Sequence, residues 1–166
     1  MFYFNYYSPL GKMIAISDER NLLGLYFVDQ KYFDLSKIYH CVENDKLKVF
    51  VQCKKFLDDY FSGKIVDNSN IPISLHCTDF RKMVLDIVKN IGYGKTLTYK
   101  EIAEKIFLLT GKKTSARAVG NAVGHNPISI IIPCHRVIGS NGALTGYAGG
   151  LDKKKILLQI EAKNKL

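Results

Sequence analysis

Apolar and polar positions alternate in three short runs at the start of the chain. The runs are FYFNYY, KMIAIS and LLGLYFV, and the turn-forming segments SPLG and DERN separate them. Alternation with a period of two, rich in aromatic and β-branched residues, is typical of strands joined by tight turns. The first thirty residues therefore predict an antiparallel β-meander.

Helical spacing replaces this alternation farther along the first half. Apolar residues recur every three or four positions over residues 43–62, and Gly63 follows as a helix stop. The segment IPISLHC (71–77) has the apolar, β-branched character of one more strand. These elements predict a small α+β module with no visible catalytic group.

The second half predicts mainly helices. Thr78 is a suitable N-cap for the helix DFRKMVLDIVKN, which is expected to end near Gly92 and Gly94. The segments LTYKEIAEKIF, LLTGKKT and SARAVGNAVGHNP then predict a helix, a short turn and a second helix. This order is typical of helix-turn-helix DNA-binding proteins, although many helical pairs without DNA-binding activity share it.

The second helix of this pair carries almost no bulky side chains. Its small residues are Ala116, Ala118, Gly120, Ala122 and Gly124. Each Gly in a helix interior costs about 1 kcal/mol relative to Ala, so such a surface indicates close approach of another helix or of a nucleic acid. Arg117 within the helix and Lys112 and Lys113 just before it favour nucleic acid.

The distribution of charge supports that interpretation. Residues 1–78 contain nine Lys or Arg and nine Asp or Glu, whereas residues 79–166 contain fifteen and six and carry the whole net charge of +9. A neutral half joined to a basic half indicates a polyanionic partner for the second half, with solubility as the simpler explanation. Charge alone does not separate DNA, RNA and acidic membranes.

Length and composition limit the possible classes of protein. The 166 residues fit one compact domain or two small ones, and a hydrophobic content of 47% is sufficient for a core. No stretch approaches the roughly 20 apolar residues of a membrane span, and the first residues lack the basic start of a secretory signal. The four cysteines form no CxxC pair, which suits a reducing compartment and predicts a cytoplasmic protein.

The most reactive pair of side chains lies in SIIIPCHRVIG, residues 129–139. The apolar run predicts a short buried strand, and Pro133 predicts that a helix begins at PCHRV. Amides at a helix N-terminus would favour the thiolate of Cys134. Because adjacent helical residues point about 100° apart, His135 would act on the thiol through a bridging water. The alternative is a buried cysteine that serves only as a small apolar residue.

Two charged residues interrupt the apolar stripe of the last helix, LDKKKILLQIEAKNKL. Lys154 and Glu161 fall on the same face as the leucines at positions 151, 157 and 158. Such residues are commonly a snorkelling lysine and a carboxylate at the rim, but here they could instead reach the reactive pair. The preceding loop GSNGALTGYAGG has five glycines in twelve residues, so it is either a mobile linker or a segment whose amides approach a ligand.

The segments TYKEIA, ARAVGNAVGHNP, IPCHRVIG and GYAGGLDKKKILLQIE together resemble the O6-alkylguanine-DNA alkyltransferases, the methylated-DNA–protein-cysteine methyltransferases. SPLGKMIAIS, LDDYFSGK and TDFRKMVLDIVKNIGYGKTLTY extend the resemblance over the whole chain. It implies a ribonuclease-H-like α+β domain over 1–78 and a helix-turn-helix, winged-helix-like domain over 79–166. It also implies a monomer that acts on double-stranded DNA containing O6-alkylguanine, with O4-alkylthymine as a second candidate substrate, and that uses no cofactor.

The resemblance also implies a role for each site residue. Cys134 would be the alkyl acceptor, His135 its base through water, and Glu161 the group that orients His135. Tyr99 would donate a hydrogen bond to the leaving guanine, and Lys154 would support the thiolate or Tyr99. The thioether product resists hydrolysis, so each molecule would act once.

The remaining implied residues contact DNA or line the pocket. Arg117 would fill the space of a flipped base while its helix enters the minor groove. The other DNA-binding candidates are Lys113, Ala118, Gly120 and Ala122, and the hinge and pocket candidates are Asn126, Ser129, Tyr147 and Ala148. Ser129 and Ala148 depart from the proline and serine of other members, which makes the accepted size of alkyl group uncertain.

Some members of this family bind zinc in the first domain. In this chain the only candidates are the pairs His40–Cys41 and His76–Cys77, whose spacing is not a recognised ligand pattern, so we expect no metal. Three alternative functions remain: a non-catalytic sensor of alkylated DNA, a Cys–His hydrolase, and a helix-turn-helix regulator. The sensor proteins lack the acceptor cysteine that Cys134 supplies here.

Overall fold

The computed structural model describes residues 1–164, which form two compact units. The first unit contains Met1–His76 together with Pro127–Ser129, and the second contains Cys77–Asn126 and the chain from Ile130 onward. The predicted domains, 1–78 and 79–166, do not include the excursion of residues 127–129 into the first unit. No helix within 1–164 is long and apolar enough to cross a membrane.

The first unit is built on a four-stranded sheet. The predicted meander is confirmed as β1 (Phe2–Ser8), β2 (Gly11–Ser17) and β3 (Leu22–Phe27), which pair in antiparallel fashion. A two-residue strand that the pattern did not predict, β4 (Val42–Glu43), pairs parallel with β1, so that the strand order is β3-β2-β1-β4.

Two segments predicted to be strands are not strands. Residues 71–77 and 128–132 each make one isolated bridge to β3, at Leu22 with Ile73 and at Leu25 with Ile128. The two segments pair with different parts of the same edge of β3. The N–H of Leu22 donates to the carbonyl of Pro72, and the N–H of Leu25 donates to the carbonyl of Pro127, both at 2.8 Å. Each segment therefore meets too little of β3 to continue as a strand.

One helix packs on the sheet. α1 (Lys48–Phe61) begins five residues later than predicted and buries Val49, Phe50, Cys53, Phe56, Leu57 and Tyr60. Val51 lies outside this buried face and is 54% exposed. A separate hydrophobic cluster is formed by Ile14, Ile16 and Tyr26. Partly buried residues pack against it, most of them from the segment that follows β3.

The second unit is mainly helical. The predicted helices are confirmed as α2 (Asp79–Lys89), α3 (Tyr99–Thr110) and α4 (Ala116–Gly124), which pack against one another, and α5 (Leu151–Lys163) ends the described fold. Thr78 caps α2 as predicted, with its hydroxyl accepting from the N–H of Arg81. Gly111 ends α3 with a left-handed backbone, φ 69°, and Ser115 caps α4.

Between α4 and α5 the chain forms one turn of 3₁₀ helix and a short strand. The turn is Cys134–Arg136, and β6 (Val137–Ile138) then pairs parallel with β5 (Leu97–Thr98). The helix predicted to begin at PCHRV is present as this single 3₁₀ turn, and it ends there because the β-branched pair Val137–Ile138 enters the small sheet. The sheet sets the reactive turn beside the start of α3.

Candidate active site

The backbone around Cys134 is tightly constrained. Pro133 has φ −80° and ψ 62°, and the N–H of Cys134 donates to the carbonyl of Ile132 at 2.8 Å, which is an inverse γ-turn. Ile130 is buried with φ 68°, a left-handed conformation that a β-branched residue rarely adopts. Its surroundings must therefore hold this conformation in place, and the turn presents a thiol that is only 4% exposed.

Asn126 binds the thiol directly. Its Nδ2 donates to Sγ of Cys134 at 3.1 Å and to the carbonyl oxygen of Ile132 at 2.9 Å. The carboxamide of Asn126, two residues after the end of α4, therefore bonds to both ends of the γ-turn. The structure thus brings two predicted site residues, Asn126 and Cys134, into contact.

His135 and Glu161 form the second contact between predicted site residues. Nε2 of His135 lies 2.6 Å from Oε1 of Glu161, and both side chains are almost fully buried. With Nε2 engaged by the carboxylate, the ring can accept a proton at Nδ1, which is also buried. Glu161 reaches this position because α5 turns Lys154, Leu157 and Glu161 inward, whereas Leu151, predicted on the same stripe, is 50% exposed.

Arg136 is a buried site residue that the pattern of the sequence did not reveal. Its Nε and Nη2 donate to Glu161 at 2.9–3.2 Å, and its Nη1 donates to the carbonyl of Ile91. The backbone N–H of Gly94 adds another bond to Glu161 at 2.9 Å. The sequence nevertheless contained a signal for this role. A carboxylate on an apolar stripe, such as Glu161, requires a cationic partner, and Arg136 is the arginine nearest in sequence to Cys134 and His135.

Lys154 and Tyr99 meet at the glycine-rich loop rather than at Glu161. The ammonium of Lys154 donates to the carbonyls of Val137 and Thr145 at 2.6 and 2.7 Å. The hydroxyl of Tyr99 donates to the same Thr145 carbonyl at 2.9 Å. Tyr99 is positioned at the first residue of α3 by a capping box in which Thr98 and Glu101 bond reciprocally.

The pocket candidates lie in different surroundings. Tyr147 is buried and Ala148 half-buried in the glycine-rich loop of the second unit. Ser129 belongs to the first unit, where its hydroxyl donates to Oε1 of Gln30 at 3.1 Å and its N–H donates to the carbonyl of Leu25. The hydroxyl of Ser129 therefore bonds to a residue beside the end of β3. The sequence had predicted that Ser129 lines the alkyl pocket, and this bond was not foreseen.

The DNA-binding candidates lie on or near α4 and differ in how far their side chains are exposed. Lys113 and Arg117 are exposed, and Ala118 and Gly120 are half-buried. Ala122 is 3% exposed on the inner face with Val119 and Val123, so its prediction as a contact surface was wrong. Gly120 lies against the ring of Tyr99, where an added Cβ would be 3.7 Å from the nearest ring atom.

Burial dominates the electrostatics of the thiol and the imidazole. Burial raises the pKa of Cys134, although the bond from Asn126, the charge of Lys154 and backbone amides oppose it, so the amides of the turn do not by themselves produce the predicted thiolate. Burial also lowers the pKa of His135, against the bond to Glu161. A neutral thiol beside a neutral imidazole results, which is the state in which the imidazole can accept the thiol proton.

The two charged members of the site are also shifted. Burial lowers the pKa of Lys154 to about 8, with the Cys134 thiolate acting in the opposite direction. Burial alone would raise the pKa of Glu161, but the bonds from His135 and Arg136 outweigh it and lower the pKa to about 2. Glu161 is therefore ionised throughout the neutral range and can stabilise an imidazolium.

No metal is suggested by the side chains. Within residues 1–164 there is no group of three or more His, Cys, Asp or Glu side chains placed to hold a metal ion. The cysteines of this range are free thiols, and the pairs at 40–41 and 76–77 belong to no such group.

The fold and the site define a two-unit α/β protein whose buried thiol, imidazole and carboxylate lie in one cluster of the second unit. The family model described as the ribonuclease-like domain of 6-O-methylguanine DNA methyltransferase matches residues 1–75, and that of its DNA-binding domain matches residues 79–163. The chain therefore belongs to the 6-O-methylguanine DNA methyltransferase family, with its N-terminal ribonuclease-like and C-terminal DNA-binding domains.

Individual relatives agree with the family match. A methylated-DNA–protein-cysteine methyltransferase of Methanosarcina barkeri is 43% identical over 165 residues, which are 99% of each chain. One from Mycobacterium bovis is 48% identical over 154 residues, 93% of this chain and 88% of the relative. The crystal structure of Mycobacterium tuberculosis OGT in complex with DNA superposes with a TM-score of 0.87 at 36% identity, covering 99% of this chain and 94% of that one.

Proposed function

We propose that this protein repairs DNA by moving the alkyl group of O6-alkylguanine irreversibly to Sγ of Cys134. The observation that carries the proposal is the buried cluster in which Asn126 holds the thiol and Glu161 holds His135. Membership of the family and relatives named methylated-DNA–protein-cysteine methyltransferase support the reaction class.

The chemistry is a displacement at a saturated carbon. The thiol proton passes to His135 through a bridging water, and Glu161 stabilises the imidazolium. Sulfur then forms a bond to the alkyl carbon while the bond from that carbon to O6 breaks and its electrons remain on the guanine. The thioether contains no carbonyl for water to attack, so the thiol is not regenerated and each molecule reacts once.

The leaving guanine requires hydrogen-bond donors as its negative charge develops. Tyr99 can supply one if its hydroxyl leaves the carbonyl of Thr145, which Lys154 continues to hold. Backbone amides near Tyr147 and Ala148 supply others in this proposal. Lys154 thus keeps the glycine-rich loop in place when Tyr99 turns toward the base.

The double-stranded DNA would bind through α3, residues 111–115 and α4, acting as a helix-turn-helix element. The net charge of the second half and the exposed Lys113 and Arg117 support this surface. Because Cys134 is 4% exposed, a base within the duplex cannot reach the sulfur, so the damaged nucleotide must be flipped out, with Arg117 filling its place. The protein is proposed to act as a monomer.

Replacing Gly120 with Ala tests the proposed surface. The new methyl group has ordinary contact distance to the Tyr99 ring, and we expect the helix to gain up to about 1 kcal/mol in stability. Affinity for duplex DNA should nevertheless fall by roughly tenfold, because overpacking a close contact costs about 1–3 kcal/mol. Fluorescence anisotropy with a labelled duplex and thermal unfolding measure the two effects.

Gly124→Ala is the matched control, since nothing lies within 4 Å of an added Cβ there. Because Gly124 is the last residue of α4, the gain in stability should be smaller, and the DNA affinity should be unchanged. Equal affinity of both variants would contradict a close approach of DNA at Gly120.

Intact-protein mass spectrometry tests the reaction itself. The protein is mixed with a duplex that carries one O6-methylguanine, and the product is mapped by peptide. We expect a gain of one methyl group on Cys134 that saturates at one equivalent. Continued turnover would support a hydrolase, and an unchanged mass with the DNA still bound would support the damage sensor, which the relatives do not favour.

A further inference from the structure

An apolar groove runs between α2 and α3 in the second unit. It consists of two adjoining cavities of about 570 and 480 Å³, which share Ile87, Asn90 and Leu109. Ile91, Leu97 and Leu108 extend the apolar lining. The groove is therefore one continuous feature along the two helices.

The last turn of α3 forms one wall of the groove and is unusually apolar for a surface. Phe107, Leu108 and Leu109 are consecutive and are 43%, 81% and 70% exposed. Folding of the second unit does not need these side chains, because the inward face of α3 consists of Ile102, Ala103 and Ile106. An exposed apolar patch of this kind marks an interaction site.

The two ends of the groove carry opposite charge. Lys95 and Lys105 flank one end, and both are exposed. At the other end Asp79 and Asp86, seven residues apart on one face of α2, lie beside Lys82. An α-helix has a partial positive charge at its N-terminus and a partial negative charge at its C-terminus, so it would match these two ends in one orientation.

We propose that this groove binds an amphipathic α-helix of a partner protein, with the N-terminus of the helix at Asp79 and Asp86 and its C-terminus at Lys95 and Lys105. Apolar side chains at every third or fourth position of the partner would fill the cavities, as in other helix-in-groove complexes. Acidic side chains in its last turn would face the two lysines. DNA is disfavoured as the occupant because the floor is apolar and the two aspartates repel phosphate. This inference is independent of the proposed alkyl transfer.

A designed peptide provides the probe. It is a fluorescein-labelled amphipathic helix of about five turns, with one leucine stripe, lysines in the first turn and glutamates in the last. A twin peptide has the same composition, but lysine and glutamate are mixed equally at both ends, so that neither orientation pairs its charges with the groove. We expect saturable binding of the first peptide to the full-length protein and roughly tenfold weaker binding of the twin, measured by fluorescence anisotropy.

Variants then place the binding in the groove. Leu109→Ser should weaken binding of the first peptide roughly tenfold while leaving thermal stability unchanged. Val51→Ser, which alters an exposed apolar residue of α1, should leave binding unchanged. Replacing both Lys95 and Lys105 with Glu makes both ends of the groove acidic and should abolish the preference between the peptides.

Four results would overturn the proposal. They are equal binding of the two peptides, insensitivity to Leu109→Ser, displacement of the peptide by undamaged duplex DNA, and a concentration-dependent dimer in light scattering that Leu109→Ser dissolves. The last would assign the groove to a second copy of this chain.

Discussion

Cys134→Ser should abolish alkyl transfer and leave binding of duplex DNA within about twofold of the wild-type affinity. A serine hydroxyl can still accept the bond from Asn126, so the γ-turn is expected to persist. Without a thiolate the displacement loses its nucleophile, and the rate should fall by at least about 10³-fold. Mass spectrometry after incubation with the methylated duplex measures the transfer, and anisotropy with the same duplex measures the binding.

Cys77→Ser is the control for this experiment. Cys77 is a half-buried free thiol in the second unit with no bond to the site, so its replacement should leave one full equivalent of transfer. A methyl group on another residue of the Cys134 variant would contradict the assignment of the acceptor. Loss of DNA binding together with transfer would mean that the substitution disturbs the fold.

Arg136→Met should be the most destabilising of the substitutions considered. Arg136 supplies three of the contacts to the buried carboxylate of Glu161, and methionine supplies none. Removing one partner of a buried ion pair costs about 3–5 kcal/mol, because the remaining charge is left without compensation. Denaturant unfolding measures this loss, and a double-mutant cycle with Glu161→Gln should show that the two effects are not additive.

The dependence on pH separates this mechanism from a simple loss of packing. Because its folded pKa is lowered to about 2, Glu161 stabilises the fold fully above about pH 4.5, and this contribution is lost as the pH falls toward 2. In Arg136→Met part of this lowering disappears, so the stability lost relative to the wild type should shrink as the pH falls below about 4.5, whereas the cost of lost packing would stay constant. Lys155→Met, at an exposed position of α5, should stay within about 0.5 kcal/mol of the wild type. A loss of stability in Arg136→Met that is the same at about pH 7 and about pH 3 would contradict the proposed role of the pair.

The elements predicted correctly are those whose signals are local. Alternation over the first thirty residues, the cap at Thr78 and the small residues of α4 depend only on neighbouring positions. The apolar run ISIII, residues 128–132, is also a local signal, but the strand that it predicts does not form. Ile128 pairs with β3 at a single residue, and Ile130 then has a left-handed backbone. Which residues the edge of β3 pairs with is decided by tertiary contacts that no window of sequence contains.

In the site, too, local signals predicted which residues are buried but not which residues they contact. Helical periodicity placed Lys154 and Glu161 on one face of the last helix, and both are buried. Their partners could not be predicted from that face, since Lys154 bonds to carbonyls and Glu161 bonds to Arg136 as well as His135. The buried role of Arg136 depends on Ile91 and Gly94, more than 40 residues away in sequence.

The excursion of residues 127–129 has a consequence for any attempt to separate the two units. A fragment that ends at residue 78 would keep β1, β2 and β3, but the N–H of Leu25 would lose its acceptor, the carbonyl of Pro127, and the carbonyl of Leu25 would lose its donor, the N–H of Ser129. A fragment that begins at residue 79 would carry those three residues as an unanchored loop between Asn126, which binds the thiol, and Ile130, which has the strained backbone. Either cut removes the same two bonds to Leu25, so an exchange of domains between relatives would have to transplant two separate stretches of chain together to keep them.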